Sequence, residues 1–386
     1  MKSDITYDLL IIGGGISACV FASKYLQINS RKKIALIEVG RGLGGRSTTR
    51  ISKKFRGCKL NHGSPNFNIS NRKNNPLLQR YIDELLKKNF IKIDDSDLVF
   101  LKEKSNEESI ANSEFFCGNN YLSLDTMRQL SEKIIGFNNL KDKIDFYFET
   151  LIVDLKFNNN HWILSSQNGD EFKSKYVIST TNLLLHKRSL EILNINQIPL
   201  RKAIPLNKDK SIDLLLKLME KQSFIPRLTF LIYTNKNYNY KDFYSKKYRF
   251  FYLSKNLENK YKFERIIFQK QKEQLGIVVH TKNTDFINSY IKAKNDNIVI
   301  KNIFAKFNQL LDGNTSVNKL TGNEKMSIMN WRASQPSGFA VPLSLQFNRK
   351  YRIGFCGDWF EGDGFGRIEG SIMSALTLVS QFKNLN

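Results

Sequence analysis

The chain has 386 residues, 41% of them hydrophobic and 25% charged, with a formal net charge of +24. That length supports a large buried core and two structural domains, and the composition excludes general disorder. The positive charge lies in short groups, Arg31-Lys32-Lys33, Lys53-Lys54, Lys87-Lys88 and Lys246-Lys247, with no accompanying nucleic-acid motif, so nucleic acid is not expected as a partner.

Four cysteines, Cys19, Cys58, Cys117 and Cys356, lack metal-ligand or redox-pair spacing, and His62, His161 and His186 form no ligand pattern with them. No metal is expected, and a reducing compartment fits best. Residues 1–8 lead straight into an apolar run without a basic leader and cleavage site, and no stretch approaches the roughly 18 apolar residues of a membrane span. A soluble, cytoplasmic protein is the expectation.

Along the chain, Tyr7 to Ile12 reads as a strand ending in glycines, Ile16 to Ile28 as a helix, and Lys33 to Glu38 as a second strand. Pro76 to Lys88 has helical character, 89–114 turns polar and irregular, and Leu122 to Ile135 again shows apolar residues at helical spacing. Asp145 to Leu155, Trp162 to Ser166 and Tyr176 to Thr180 suggest strands of a small antiparallel meander, separated by Asn-rich and Asn168-Gly169 turns. Residues 183–321 alternate helical and strand-like segments. Tyr351 to Cys356 then forms a strand, followed by Gly357-Asp358, a glycine-bearing loop and a helix from about Glu369 to Phe382.

Gly13-Gly14-Gly15-Ile16-Ser17-Ala18 supplies G-x-G-x-x-A between the first strand and helix, with Glu38 at the end of the second strand. Gly13 permits the tight turn, Gly15 lets a pyrophosphate approach the backbone, and Ala18 keeps the helix close to the sheet. The helix amides face the anion, and Glu38 can accept hydrogen bonds from an adenosine ribose. The fingerprint alone does not choose between FAD and NAD. Downstream, Arg41-Gly42-Leu43-Gly44-Gly45-Arg46 offers backbone approach at Gly44 and Gly45 and planar donors on Arg46 for phosphate or flavin-side oxygens. At the other end, Gly357-Asp358 places a carboxylate able to accept ribityl hydroxyls. Gly366-Arg367-Ile368-Glu369-Gly370-Ser371 opens a helix whose free amides suit negative charge at a flavin's N1 and O2.

These two ends resemble the FAD-dependent amine oxidase superfamily and, within it, the renalase family and its bacterial relatives. Glu38 through Thr49 is similar to the family's acidic residue, G-G-R and following hydroxyl residues. Asn61-His62-Gly63-Ser64-Pro65-Asn66-Phe67 resembles a D-x-G-A-Q-Y segment beside the flavin, with Asn61 in place of Asp and Pro65-Asn66 in place of Gln-Tyr. Gly276 to Thr281, Trp331 to Pro336 and Ile368 to Ala375 resemble further family segments.

The implied fold is α/β: a Rossmann-like FAD-binding domain built from a discontinuous chain (1–67, 117–182 and 322–386), plus a mixed α+β substrate domain (68–116 and 183–321). The resemblance implies noncovalent FAD held by Gly13, Gly15, Ser17, Glu38, Arg41, Gly45, Arg46, Gly63, Pro65, Asn66, Ile152, Gly357, Asp358, Ile368 and Glu369. His280 and Trp331 are its candidate substrate contacts. Each has a second reading, His280 as a satisfied histidine in a sheet and Trp331 as interdomain packing.

The implied substrate is a small hydride donor, an isomeric dihydronicotinamide dinucleotide, oxidised by flavin with oxygen as acceptor. Flavin carries the redox step, so no obligatory acid or base is named. An amine oxidase or desaturase-like flavoenzyme is the nearest enzyme alternative. A flavin-binding interaction protein is the alternative of another class.

Overall fold

Strand Lys2–Ile12 sends Leu9 and Ile11 to one side and Leu10 and Ile12 to the other, and all four are buried, so it needs cover on both faces. The computed structural model, which describes residues 2–52, 58–70, 75–103, 107–111, 115–234, 246–271, 274–281, 296–315, 319–320, 322 and 324–383, supplies that cover. Lys2–Ile12 pairs in parallel with Ile34–Ile37 and Glu171–Ser179, and Ile34–Ile37 pairs in parallel with Ile144–Tyr147.

The far edge of Glu171–Ser179 is shared. Residues near its start pair with the antiparallel strand His161–Ser166, which leads out to Ile152–Asn158. Residues 177–179 pair in parallel with Ile353–Phe355, so the end of the chain returns to the first sheet as its sequence suggests.

Helices Ile16–Ile28, Pro76–Lys87, Met127–Gly136 and Ile368–Lys383 cover one face through Phe21, Leu78, Ile134 and Leu378. The opposite face holds Leu10, Ile37, Trp162 and Phe355 against Leu200, Ile212, Leu215 and Met219. Both layers of a doubly wound α/β unit are therefore present.

A second sheet runs in the order Lys325–Gly338, Gln222–Tyr233, Leu275–Thr281, Phe263–Lys270, Tyr248–Leu253, Asp97–Leu101, Glu107–Ile110. All its pairings are antiparallel except that of Tyr248–Leu253 with Asp97–Leu101. Helix Asp296–Asn314 buries Val299, Ile303, Phe307 and Leu310 on one face, against Phe230, Phe251 and Phe268. On the other face Leu231, Phe250, Ile267 and Val278 meet Cys58, Leu60 and Leu122. Gly276 is needed for that approach, because a Cβ there would lie 2.0 Å from Leu60 Cδ2.

Two segments sit differently from the domain division expected from sequence. Strand Lys325–Gly338, expected with the FAD-binding domain, is the edge strand of the second sheet. Part of the stretch 183–221, expected with the substrate domain, covers the first sheet: Leu184, Leu185, Leu200, Ile212 and Met219 share its core. The physical reason is the two-sided burial of a parallel sheet, whose second face requires an apolar helix from elsewhere in the chain. No described helix is long and apolar enough to cross a membrane.

Candidate dinucleotide and substrate site

The strand-to-helix turn is built around glycine. Gly13 has φ +103°, and a Cβ there would lie 2.4 Å from Thr180 Oγ1. Gly15 has φ −74°, and a Cβ there would meet nothing within 4 Å. The first glycine thus serves the turn, whereas the second keeps a volume open in front of helix Ile16–Ile28. That helix has no side-chain cap and no acidic residue in its first turn, so its first amides and positive dipole end remain available. Ser17 is buried beside Cys356 and offers its backbone rather than its hydroxyl.

Glu38 flanks this volume, accepting hydrogen bonds from the Gly14 amide (2.5 Å) and the Gly40 amide (2.6 Å). Burial raises its pKa, and the two amides offset part of that shift. Its carboxylate is only half-buried and retains accepting capacity. Backbone bonds from Thr150 N to Glu38 O and from Glu149 N to Gly40 O bring 149–150 alongside the acidic residue, two residues before buried Ile152. Exposed Arg41 pairs with Glu149 at 3.4 Å.

The following loop crosses the turn. Gly44 N donates to Gly14 O (2.8 Å), and Gly45, at φ +53°, would place a Cβ 3.1 Å from Gly15 Cα. Arg46 then reaches across 312 residues of sequence: its Nη1 and Nη2 donate to Asp358 Oδ2 (2.8 Å) and Oδ1 (2.6 Å), and Nη1 also donates to Ser334 O (3.1 Å). This fork joins the Gly44–Gly45 loop, the end of strand Ile353–Phe355 and the edge of the second sheet. Arg46 and Asp358, expected to contact cofactor separately, here hold one another.

Around the fork, backbones meet closely. A Cβ on Gly63 would lie 1.8 Å from Arg46 O, and Ser64 N donates to that carbonyl. Pro65 is buried beside it, while the Asn66 side chain turns to Asp94 Oδ2 (2.7 Å). Gly357 closes against Ser374, which exchanges hydrogen bonds with both its amide and its carbonyl. Gly366 N donates to Asp358 O (2.7 Å), folding the loop back before helix Ile368–Lys383. Ile368 is half-buried at the helix start. The Glu369 carboxylate is buried, accepting from Ser70 N and Oγ and pairing with Arg367. For Asn66 and Glu369, then, the side chains anchor the loops, and only their backbones remain to face a ligand.

The expected substrate contacts also differ. His280 is 2% exposed: Nδ1 lies 2.9 Å from Arg265 Nη2, and Nε2 lies 3.3 Å from His62 O. A guanidinium only donates, so Nδ1 accepts and Nε2–H donates to the carbonyl, fixing a neutral tautomer. Burial, followed by the charges of Arg265 and Arg227, pushes its pKa well below the usual histidine value. Both ring nitrogens are engaged within the protein, so His280 holds Arg265 and the His62 carbonyl in place. Trp331 is half-buried; its indole N–H donates to Thr229 Oγ1 (3.1 Å), and its ring stacks on His62 (centroids 5.4 Å, 29° apart).

Sequence reasoning gave His62 no role of its own within the Asn61–Phe67 segment; the structure sets it against His280 and Trp331 of the second sheet. Arg188 was also missed; its pKa is lowered by burial and then by the charges of Arg46 and Arg332, so that three guanidinium groups share this neighbourhood. Among the described residues no group of His, Cys, Asp and Glu could hold a metal ion.

Residues 11–85 match the NAD(P)-binding Rossmann-like domain family. The whole chain superposes on a structure from Exiguobacterium sp. 255-15 assigned as a protoporphyrinogen oxidase, with a TM-score of 0.65 at 11% identity over 100% of both chains. A triple mutant of putrescine oxidase, redesigned for cofactor binding, gives 0.64 at 11% identity over 99% of both chains. Wild-type putrescine oxidase bound to putrescine gives 0.63 at 10% identity over 98% of this chain and 99% of that one. No curated protein matches in sequence. The chain therefore carries a Rossmann-like nucleotide-binding region within the overall fold seen in these oxidase structures.

Proposed function

We propose that this protein is an FAD-dependent oxidoreductase of the amine oxidase superfamily, oxidising a small-molecule hydride donor with oxygen as acceptor. The observation that carries this reading is the open volume at Gly15 before an uncapped helix start, flanked by Glu38 and by the Gly44–Gly45 loop, which Arg46 ties to Asp358 from the chain's other end. The residues fit the group: the amides of helix Ile16–Ile28 suit a pyrophosphate, Glu38 an adenosine ribose, and the loop from Gly357 to Ile368 the flavin end. The likeness in fold to oxidase structures supports the same choice over a nicotinamide dehydrogenase.

Bound FAD supplies the two-electron chemistry, and this chain's residues position the reactants. The Arg46–Asp358 fork fixes the flavin-side loop, the Gly63 turn brings backbone against it, and the His62–Trp331 stack ties that turn to the second sheet. No protein nucleophile or metal takes part in this proposal.

At the finer level we infer a renalase-like oxidase, taking hydride from an isomeric dihydronicotinamide dinucleotide. Support comes from the sequence resemblance at Gly276 to Thr281 and Trp331 to Pro336, which lie on the two strands flanking Gln222–Tyr233 in the second sheet. The experiment is stopped-flow reduction of the FAD-loaded protein under nitrogen, with dihydronicotinamide isomers compared against putrescine and simple monoamines. Faster reduction by a dihydronicotinamide is expected. Preference for an amine refutes the renalase-like assignment, and failure to bind FAD refutes the whole reading.

A further inference from the structure

One row of the second sheet carries more positive charge than its described partners neutralise. Thr229 pairs with His280 across one strand boundary and His280 with Arg265 across the next, while Trp331 pairs with Arg227, so these side chains share the face that holds Leu231 and Val278. Arg265 donates to neutral His280 and lies 6.0 Å from the Tyr252 ring centroid; burial disfavours its charge, but Tyr252 and Glu264 outweigh that and raise its pKa, so Glu264 is shared by both arginines. Arg227, whose side chain is 15% exposed, pairs with Glu264 at 2.5 Å. The Nε atoms of both arginines are buried without a hydrogen-bond partner among the described residues.

Two guanidinium groups thus face one described carboxylate, and His280 contributes no charge. Burial, partly offset by Glu264, lowers the pKa of Arg227, and repulsion from Arg265 adds to that effect. A surplus cation removed from water is unfavourable unless an anion joins it, and the planar guanidinium is the side chain best shaped for carboxylate or phosphate oxygens. Beside this row Phe115 and Phe116 pack on Tyr252, with centroids 4.5 and 6.0 Å away, forming an aromatic wall.

We propose that Arg227 and Arg265 recognise an anionic group, a carboxylate or a phosphate, on a substrate whose remaining body is apolar or aromatic. That this anion belongs to the oxidised substrate rests on the flavoenzyme reading above; that the row binds an anion does not. The arrangement also disfavours a free diamine, whose charge would meet that of the two arginines.

The test is titration calorimetry of the full chain, with and without added FAD, using benzoate, phenyl phosphate and benzamide. At least tenfold tighter binding of one anion than of benzamide is expected, and the stronger of the two identifies the oxygen chemistry. Arg227→Gln and Arg265→Gln should each lose at least tenfold for that anion and less than twofold for benzamide. Should either fail to fold, Arg227→Lys carries the test, with at least fivefold loss expected because the charge remains while the fork is gone. Equal binding of all three probes, or unchanged anion affinity in folded variants, overturns the proposal. FAD content, read by absorbance on the same samples, separates the two readings. Anion discrimination without FAD binding leaves this site standing and sinks the flavoenzyme assignment, whereas FAD binding without discrimination does the reverse.

Discussion

Alanine placed at Gly13 and at Gly15 should have opposite consequences, although the residues are two apart in one motif. At Gly13 the backbone has φ +103°, and the new Cβ would lie 2.4 Å from Thr180 Oγ1, a hydroxyl that itself donates to Ile12 O. Left-handed strain of about 1–2 kcal/mol for an L-residue, added to displacement of Thr180, gives roughly 2–4 kcal/mol of destabilisation. A chain of this length unfolding cooperatively has an entropy near 0.8 kcal/mol per kelvin, so Tm should fall by about 3–5 °C.

At Gly15 the φ of −74° suits any residue, and the Cβ would enter open space. The fold should lose at most about 1 kcal/mol, through the weaker N-cap, and Tm about 1 °C. The methyl group instead occupies the pyrophosphate approach, so FAD affinity should fall about 10- to 100-fold for Gly15→Ala and further for Gly15→Val, roughly 1.4 kcal/mol for each tenfold. Differential scanning calorimetry of FAD-free protein measures the first effect, and quenching of flavin fluorescence the second. If Gly15→Ala unfolds as early as Gly13→Ala, or binds FAD as tightly as the parent chain, the assignment of that open volume to a pyrophosphate is wrong.

Other expectations follow from the same geometry. A double-mutant cycle of Arg46→Met and Asp358→Asn should give a coupling of about 1–3 kcal/mol, reduced from the value for a fully buried pair because Arg46 is 39% exposed, and denaturant unfolding measures it. Each single variant should also weaken FAD binding; a coupling near zero would show that the fork contributes no stability. Burial holds the His62 pKa at about 4, below the ordinary 6.5, so the folded state resists protonation that the unfolded chain accepts. Stability from this residue is present above pH 6.5 and falls as pH drops towards 4, by on the order of 2–3 kcal/mol, and His62→Gln should flatten that part of the stability profile. Acid precipitation should release the flavin into the supernatant, because the assigned cofactor contacts are noncovalent; retained flavin would contradict this.

The fold was legible where local pattern and burial agree. Leu9 to Ile12 alternate between two buried faces, and the glycine turn sits between strand and helix, so the first βαβ unit is written within about forty residues. The domain division was less legible because strand pairing is a long-range property. Nothing local distinguishes Lys325–Gly338 as a second-sheet edge from a strand of the first, and its partner Gln222–Tyr233 lies about a hundred residues away. Helix Lys210–Lys221 shows its apolar stripe plainly, yet the stripe does not say which sheet it covers.

The site divides along the same line, between backbone and side chain. Glycines at 13, 45 and 63 are requirements of the backbone, because only a missing Cβ permits those approaches, whereas Gly15 leaves open the space in front of the helix. Side chains choose partners that are near in space but far in sequence. Glu369 turns to Ser70, Asn66 to Asp94, Arg46 to Asp358 and His280 to Arg265, and no spacing rule brings these pairs together. Asn61, which stands where the similar family segment carries Asp, follows the same logic. Its Oδ1 accepts from Thr49 Oγ1 and Met127 N while its Nδ2 donates to Tyr248 Oη; a carboxylate, having no N–H, would hold the tyrosine only by reversing that bond. The amide therefore ties strand Lys59–Asn61 to Thr49, to helix Met127–Gly136 and, through Tyr248, to the second sheet, alongside the backbone bonds that the same strand makes with Gln269 and Gln271.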